Sequence, residues 1–125
     1  MSLKRNPVGW FEIYVKDMTR ARAFYEAVFE YKLEELPMPG VPMFAFPMND
    51  DAPGSAGALI HYKGMEPKVG GTLIYFSCAD CAVEASRAVK NGGSVFKEKF
   101  SIGPYGFVAL VYDTEGNLIG LHSQT

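Results

Sequence analysis

The chain has 125 residues, 48% of them hydrophobic and 21% charged, which suits one globular domain and not a disordered or two-domain protein. Twelve Lys and Arg against fourteen Asp and Glu leave a net charge of −2, without the clustered basic excess of a nucleic-acid binder. No apolar run approaches the ~20 residues of a membrane span, Met1–Arg5 lacks the apolar stretch of a signal peptide, and two cysteines make no disulfide framework, so the expected compartment is the cytoplasm.

The first predicted element is a strand. From Trp10 to Asp17 the chain alternates in the strand period, with Phe11, Ile13 and Val15 on one face and Trp10, Glu12 and Tyr14 on the other. Asp17 is placed to cap a helix by accepting from unpaired backbone donors. In that helix Ala21, Phe24, Tyr25 and Val28 keep the spacing of a buried stripe. A short strand follows near Lys32–Leu36. A further strand is expected over Met43–Met48, then a polar turn, then a strand over Ala58–His61. Lys63 to Gly71, with Gly64, Pro67, Gly70 and Gly71, reads as a linker.

The same order then recurs. Leu73 to Asp80 alternates with Ile74, Phe76 and Cys78 on one face and Leu73, Tyr75 and Ser77 on the other. Asp80 caps a helix whose stripe is read as Ala82, Ala85, Ser86 and Val89, ending at Asn91-Gly92-Gly93, where glycine takes the left-handed conformation cheaply. Strands are expected near Val95–Glu98, over Phe107–Tyr112, and over Ile119–His122, the last two joined by the turn Asp113-Thr114-Glu115-Gly116-Asn117. Each half is therefore strand, helix, strand, strand, strand. Neither half is long enough to bury both faces alone, so the two sheets are expected to combine into one curved mixed sheet, helices outside and a cup inside. The domain plan is one domain over 1–125, with module 1 over 7–62, the linker over 63–71 and module 2 over 72–123.

This doubled order resembles the vicinal oxygen chelate superfamily, which includes glyoxalase I, bleomycin resistance proteins and extradiol dioxygenases. The motifs that carry the likeness are Val15-Lys16-Asp17 with Ala21 and Phe24-Tyr25, then Gly92-Gly93, Gly106-Phe107 and Asp113-Thr114-Glu115-Gly116-Asn117-Leu118-Ile119. The resemblance implies an α+β fold of two tandem βαββ modules and a homodimer. It also implies a cup lined by Trp10, Glu12, Tyr14, Leu73, Tyr75 and Ser77. Metal-dependent members place ligands on the first and last strands of each module. The matching positions here are Trp10, Leu73, Gly120 and, as the repeat partner of Gly120, Leu59. None of these side chains donates an electron pair to a metal, so neither a bound metal nor any other cofactor is expected.

Several residues stand out as candidates. Glu12, walled by Trp10, Tyr14 and Tyr75, is a candidate general base if desolvation raises its pKa. Trp10, Tyr14, Tyr75 and Tyr105 form an aromatic set suited to a flat ligand, although with seven tyrosines and nine phenylalanines they would equally serve as core. His61 and His122, the only histidines, are read as equivalent positions of the two repeats at the cup rim: a relocated metal pair, an acid–base pair or ligand-binding groups on one reading, and half-exposed strand ends hydrogen-bonded to a neighbour on the other. The loop Ser101–Gly106 is a candidate lip over the cup. Cys78 and Cys81 form a CxxC, with Cys78 expected in the core. The prolines and methionines of 37–48 suggest a flap or an irregular edge. The leading expectation is a metal-free binder of a small, partly aromatic or apolar molecule. The alternatives are a lyase or isomerase using Glu12 and a structural or regulatory dimer with a filled cup. The expected partners are a small-molecule ligand and a second copy of the chain, with neither nucleic acid nor membrane.

Overall fold

The computed structural model describes residues 6, 8, 10–70 and 73–125. The leader reading at Met1–Arg5, the start of module 1 at Pro7 and the linker end at Gly71 fall outside the described residues.

β1 (Trp10–Tyr14) leads into α1 (Met18–Phe29), followed by β2 (Glu34–Glu35), β3 (Met43–Ala45) and β4 (Ala56–Ile60). The order repeats as β5 (Ile74–Ser77), α2 (Cys81–Lys90), β6 (Ser94–Ser101), β7 (Phe107–Tyr112) and β8 (Leu118–Ser123), with one 3-10 turn, Gly103–Tyr105, before β7. Each module is therefore βαβββ, one strand longer than βαββ. The first and last strands of each module pair in parallel, and the remaining pairs are antiparallel.

The fold is α+β with tandem modules, as the sequence implies, but the strands form two sheets of order β1-β4-β3-β2 and β5-β8-β7-β6. Among the described residues no ladder joins them. β1 and β5 are each a sheet edge, and the modules are held together by side chains.

Asp17 and Asp80 cap the two helices as expected, accepting from Arg20 N–H and Ala82 N–H, both at 3.0 Å. The α1 stripe Ala21, Phe24, Tyr25 and Val28 is buried. The α2 stripe is not the one read from sequence. Cys81, Ala85 and Ala88 are buried, whereas Ala82 and Ser86 are exposed and Val89 is 53% exposed. Both sets satisfy helical spacing. The Asp80 cap starts the helix at Cys81, and three small side chains let α2 lie close on its sheet and on α1.

The main core spans both modules. Phe76 of β5 stacks on Phe29 of α1 with ring centroids 4.5 Å apart, and it also meets Phe46 and Phe11 at 5.7 and 6.1 Å. Such pairs add roughly 0.5–1.5 kcal/mol each beyond the area they bury. A smaller cluster of Met43, Ala45, Ala58 and Ile60, with Tyr14, Leu36 and Val41 against it, covers the concave face of the first sheet. Of the Pro-Met segment, Met43 is therefore core, while Met38 and Met48 are exposed.

The β7–β8 turn clasps the first βα junction. The side chain of Glu115 is fully buried and accepts from Lys16 N–H and Asp17 N–H at 2.9 Å and from Arg20 Nε at 2.8 Å. Burial alone would push this carboxyl up, but the Arg20 guanidinium, the two backbone donors and the Thr114 hydroxyl hold it down at about 2. Asp113 accepts from the buried Tyr25 hydroxyl at 2.7 Å, and Asn117 donates to Tyr14 O at 2.9 Å.

A cleft at the seam between the modules

The parallel ladders decide which backbone groups reach the seam. Val15 N–H donates to Ile60 O at 3.0 Å, so in β1 the odd residues turn their backbone groups to β4 and the even ones turn theirs outward. Trp10, Glu12 and Tyr14 thus present amides and carbonyls at the free edge. Cys78 N–H donates to His122 O at 2.7 Å, which leaves Tyr75 and Ser77 with the same outward role on β5. The Asn117 and Glu115 bonds to Tyr14 O and Lys16 N–H close only one end of this edge.

Between the two edges lies a cleft of about 950 Å³. It is lined by Trp10, Glu12, Tyr14, Leu73, Tyr75 and Ser77, the six side chains expected at the cup. Its floor is the aromatic cluster, with Phe11, Phe46, Phe76 and Tyr31 reaching it. Trp10 and Tyr75 are 39% and 50% exposed, so both remain available for contact. Trp10 Nε1 donates to Glu12 Oε2 at 3.3 Å. Glu12 is exposed, so the enclosure expected to desolvate it is missing. Among the described residues the charged ones of the lining are Glu12, Glu66 and Lys68.

Other candidates lie elsewhere. His61 follows β4 outside the cleft, with its Nδ1 2.9 Å from Val15 O. His122 is in β8 with Nε2 2.7 Å from Tyr105 O. They are not repeat equivalents: Val15 and Cys78 each stand two residues before a capping aspartate, and their amides bond Ile60 O and His122 O respectively. Ile60 is thus the counterpart of His122. The same correction moves the partner of Gly120, which lies opposite Tyr75, from Leu59 to Ala58, opposite Glu12. Leu59 faces the main core with no exposed surface. The slip arose because the loops between β3 and β4 and between β7 and β8 differ in length, so one offset does not serve every strand. The Tyr105 ring is 72% exposed and lines neither cavity. The thiol of Cys78 is half-buried against the core and pushed up to about 12, first by burial and then by Glu84 and Cys81.

Sequence reasoning missed part of the lining. Tyr31 and Phe46 carry no signal of it, and Glu66, Pro67, Lys68 and Gly70, legible only as a linker, form a wall. At the positions that carry metal ligands in metal-dependent relatives, Trp10, Leu73, Gly120 and the corrected Ala58 supply no metal donor. Among the described residues, no group of three or more His, Cys, Asp or Glu converges on one point. These four side chains offer no donor set for a divalent cation.

The family model described as Glyoxalase/Bleomycin resistance protein/Dioxygenase superfamily matches residues 8–121. The chain belongs to that superfamily. Among solved structures, TnmS3, an antibiotic binding protein from Streptomyces sp. CB03234, superposes with a TM-score of 0.72 at 22% identity, covering 99% of this chain and 100% of its own. A glyoxalase/bleomycin resistance protein from Albidiferax ferrireducens T118 gives 0.71 at 18% identity, covering 93% of this chain and 98% of its own. Glyoxalase I from Zea mays gives 0.69 at 17% identity, with 94% of this chain matching 46% of that one. At these identities the likeness is one of fold. No curated protein sequence matches the chain. Among the described residues no helix is long and apolar enough to cross a membrane.

Proposed function

We propose that the protein is a metal-free, homodimeric binding protein of the superfamily that holds a small, partly aromatic or apolar molecule in the seam cleft. The observation that carries this reading is the open volume of about 950 Å³ between two unpaired strand edges, with the Trp10 and Tyr75 rings half exposed in it. Exposed rings on rigid strands supply contact area at low entropic cost, and the outward amides and carbonyls supply orientation. Among the described residues of the lining the acidic ones outnumber the basic one, which favours neutral or cationic ligands over anions. That TnmS3 binds an antibiotic is in keeping with this reading.

The test is a thermal-shift screen of neutral and cationic aromatic compounds, followed by titration of Trp10 fluorescence, since this is the sole tryptophan. Trp10→Ala should weaken the selected compound by about 2 kcal/mol, as a contact hot spot does, while leaving folding stability nearly unchanged. A core tryptophan would instead cost about 3–5 kcal/mol of stability. That outcome, with affinity unchanged, would overturn the reading. The alternative in which Glu12 is a general base predicts that Glu12→Gln abolishes turnover. The binding reading predicts that it leaves affinity for a neutral ligand intact.

A further inference from the structure

The face of the second sheet opposite the main core contains another cavity, of about 310 Å³, which shares only Tyr75 and Ser77 with the seam. Phe100, Ile102 and Val108 make its walls apolar. Ser77 and His122 are its polar side chains besides the Tyr75 hydroxyl, and they are direct neighbours across the β5–β8 ladder, so both project from the same face.

The hydrogen bonding of His122 fixes what its ring offers. Nε2 lies 2.7 Å from the carbonyl oxygen of Tyr105. A carbonyl only accepts, so Nε2 carries the proton, and in the neutral ring Nδ1 is then an unprotonated acceptor. No protein donor meets Nδ1 among the described residues. The carbonyl is itself held in place. It belongs to the last residue of the 3-10 turn Gly103–Tyr105, where Gly106 N–H bonds Gly103 O at 3.2 Å, Ile102 N–H bonds Gly106 O at 2.9 Å, and two glycines take positive φ of 75° and 105°. The turn therefore sets the tautomer, much as an orienting carboxylate would.

We propose that this cavity is a second small-molecule site, one that receives a neutral aromatic group bearing a single hydrogen-bond donor. A phenol fits this description: its ring meets Phe100, Ile102 and Val108, and its O–H donates to Nδ1 of His122 beside the Ser77 hydroxyl. A carboxylate is disfavoured, because two acceptors would then face one another. The inference does not depend on the seam cleft: Tyr75 and Ser77 are common to both cavities, but His122, Phe100, Ile102 and Val108 line this one alone.

The probes are phenol and its methyl ether anisole, read by nitrogen-15 NMR of the imidazole rings of the intact protein, with His122 assigned from the His122→Gln variant. The ligand-free ring should be the Nε2–H tautomer. Phenol should move the Nδ1 resonance in the direction of an accepted hydrogen bond and bind about tenfold more tightly than anisole. His122→Gln keeps an amide donor within reach of the Tyr105 carbonyl but removes the δ acceptor, so phenol affinity should fall to that of anisole. His122→Asn, with an acceptor near the δ position, should restore part of it. An Nδ1–H tautomer, equal affinities for phenol and anisole, or phenol that leaves the His122 nitrogens unmoved would each overturn the proposal. Phenol that changes only Trp10 fluorescence would do the same, while leaving the seam reading intact.

Discussion

Replacing Glu115 with Gln should uncouple the modules in a pH-dependent way. The carboxylate is buried, with donors from Lys16 N–H, Asp17 N–H, Arg20 and Thr114 converging on it. Its pKa is about 2 in the fold, against 4.5 for a free glutamate. A gap of that size is worth about 3 kcal/mol at neutral pH. The sign follows from the direction of the shift: a carboxyl whose folded pKa is depressed stabilises the fold above its unfolded pKa, and that stability drains away as pH falls from about 5 towards 2. Glutamine has nearly the same shape but turns an NH2 group towards donors, leaving Arg20 and a backbone N–H poorly matched, so a loss of about 2–4 kcal/mol is expected at pH 7. Urea unfolding of both proteins at pH 7, 5 and 3 would measure it. The two stabilities should converge as the pH drops. A difference that is constant across pH, or below about 1 kcal/mol at pH 7, would show that the clasp contributes no more than an exposed ion pair.

Gly120→Ala should destabilise by about 1–3 kcal/mol, measured by chemical denaturation, because the new Cβ would lie 2.3 Å from Cδ1 of Tyr75 and force that ring to turn. The same variant should alter binding in both cavities, since Tyr75 lines each of them. Cys78 should resist iodoacetamide at pH 8, as judged by intact mass, because a thiol held at about 12 carries little thiolate there; rapid alkylation of the folded protein would contradict this. Sedimentation equilibrium at micromolar concentration should give twice the monomer mass. Phe96 lies 57% exposed on the edge strand β6, and a clean monomer would count against the proposed dimer.

The architecture was legible because local signals agreed with one another. Asp17 and Asp80 end alternating strands and cap helices in both repeats, and the α1 stripe carries large aromatics whose burial admits one orientation. In α2 the apolar residues are small, so two overlapping stripes fit the period equally well and only the cap distinguishes them. Strand alternation sorted the residues of β1 and β5 onto two faces, and the family resemblance said which face lines the cup. The histidine pairing was not, since it depends on ladder register, which changes with loop length. The seam itself left no trace in the sequence. An unpaired edge is a property of how two sheets meet, and no residue type marks it.

The distribution of buried polar groups explains why such a fold can keep its shape while its site varies. The groups that are costly to change are the buried ones at the module junction: the Tyr25 hydroxyl on Asp113, and Glu115 beneath Arg20 with the backbone donors of Lys16 and Asp17. Removing one partner there leaves a buried hydroxyl or carboxylate without its match. The seam is built differently. Trp10, Tyr75, Glu12 and Ser77 are exposed, and the backbone edges beside them reach solvent whatever side chains they carry. Substitution at these positions costs little stability, because water already satisfies what the protein does not. The clasp holds the two edges apart at one end and leaves the rest of the gap open, so the contacts that join the modules also maintain the cleft. A ligand can then be selected by side chains that the fold does not need.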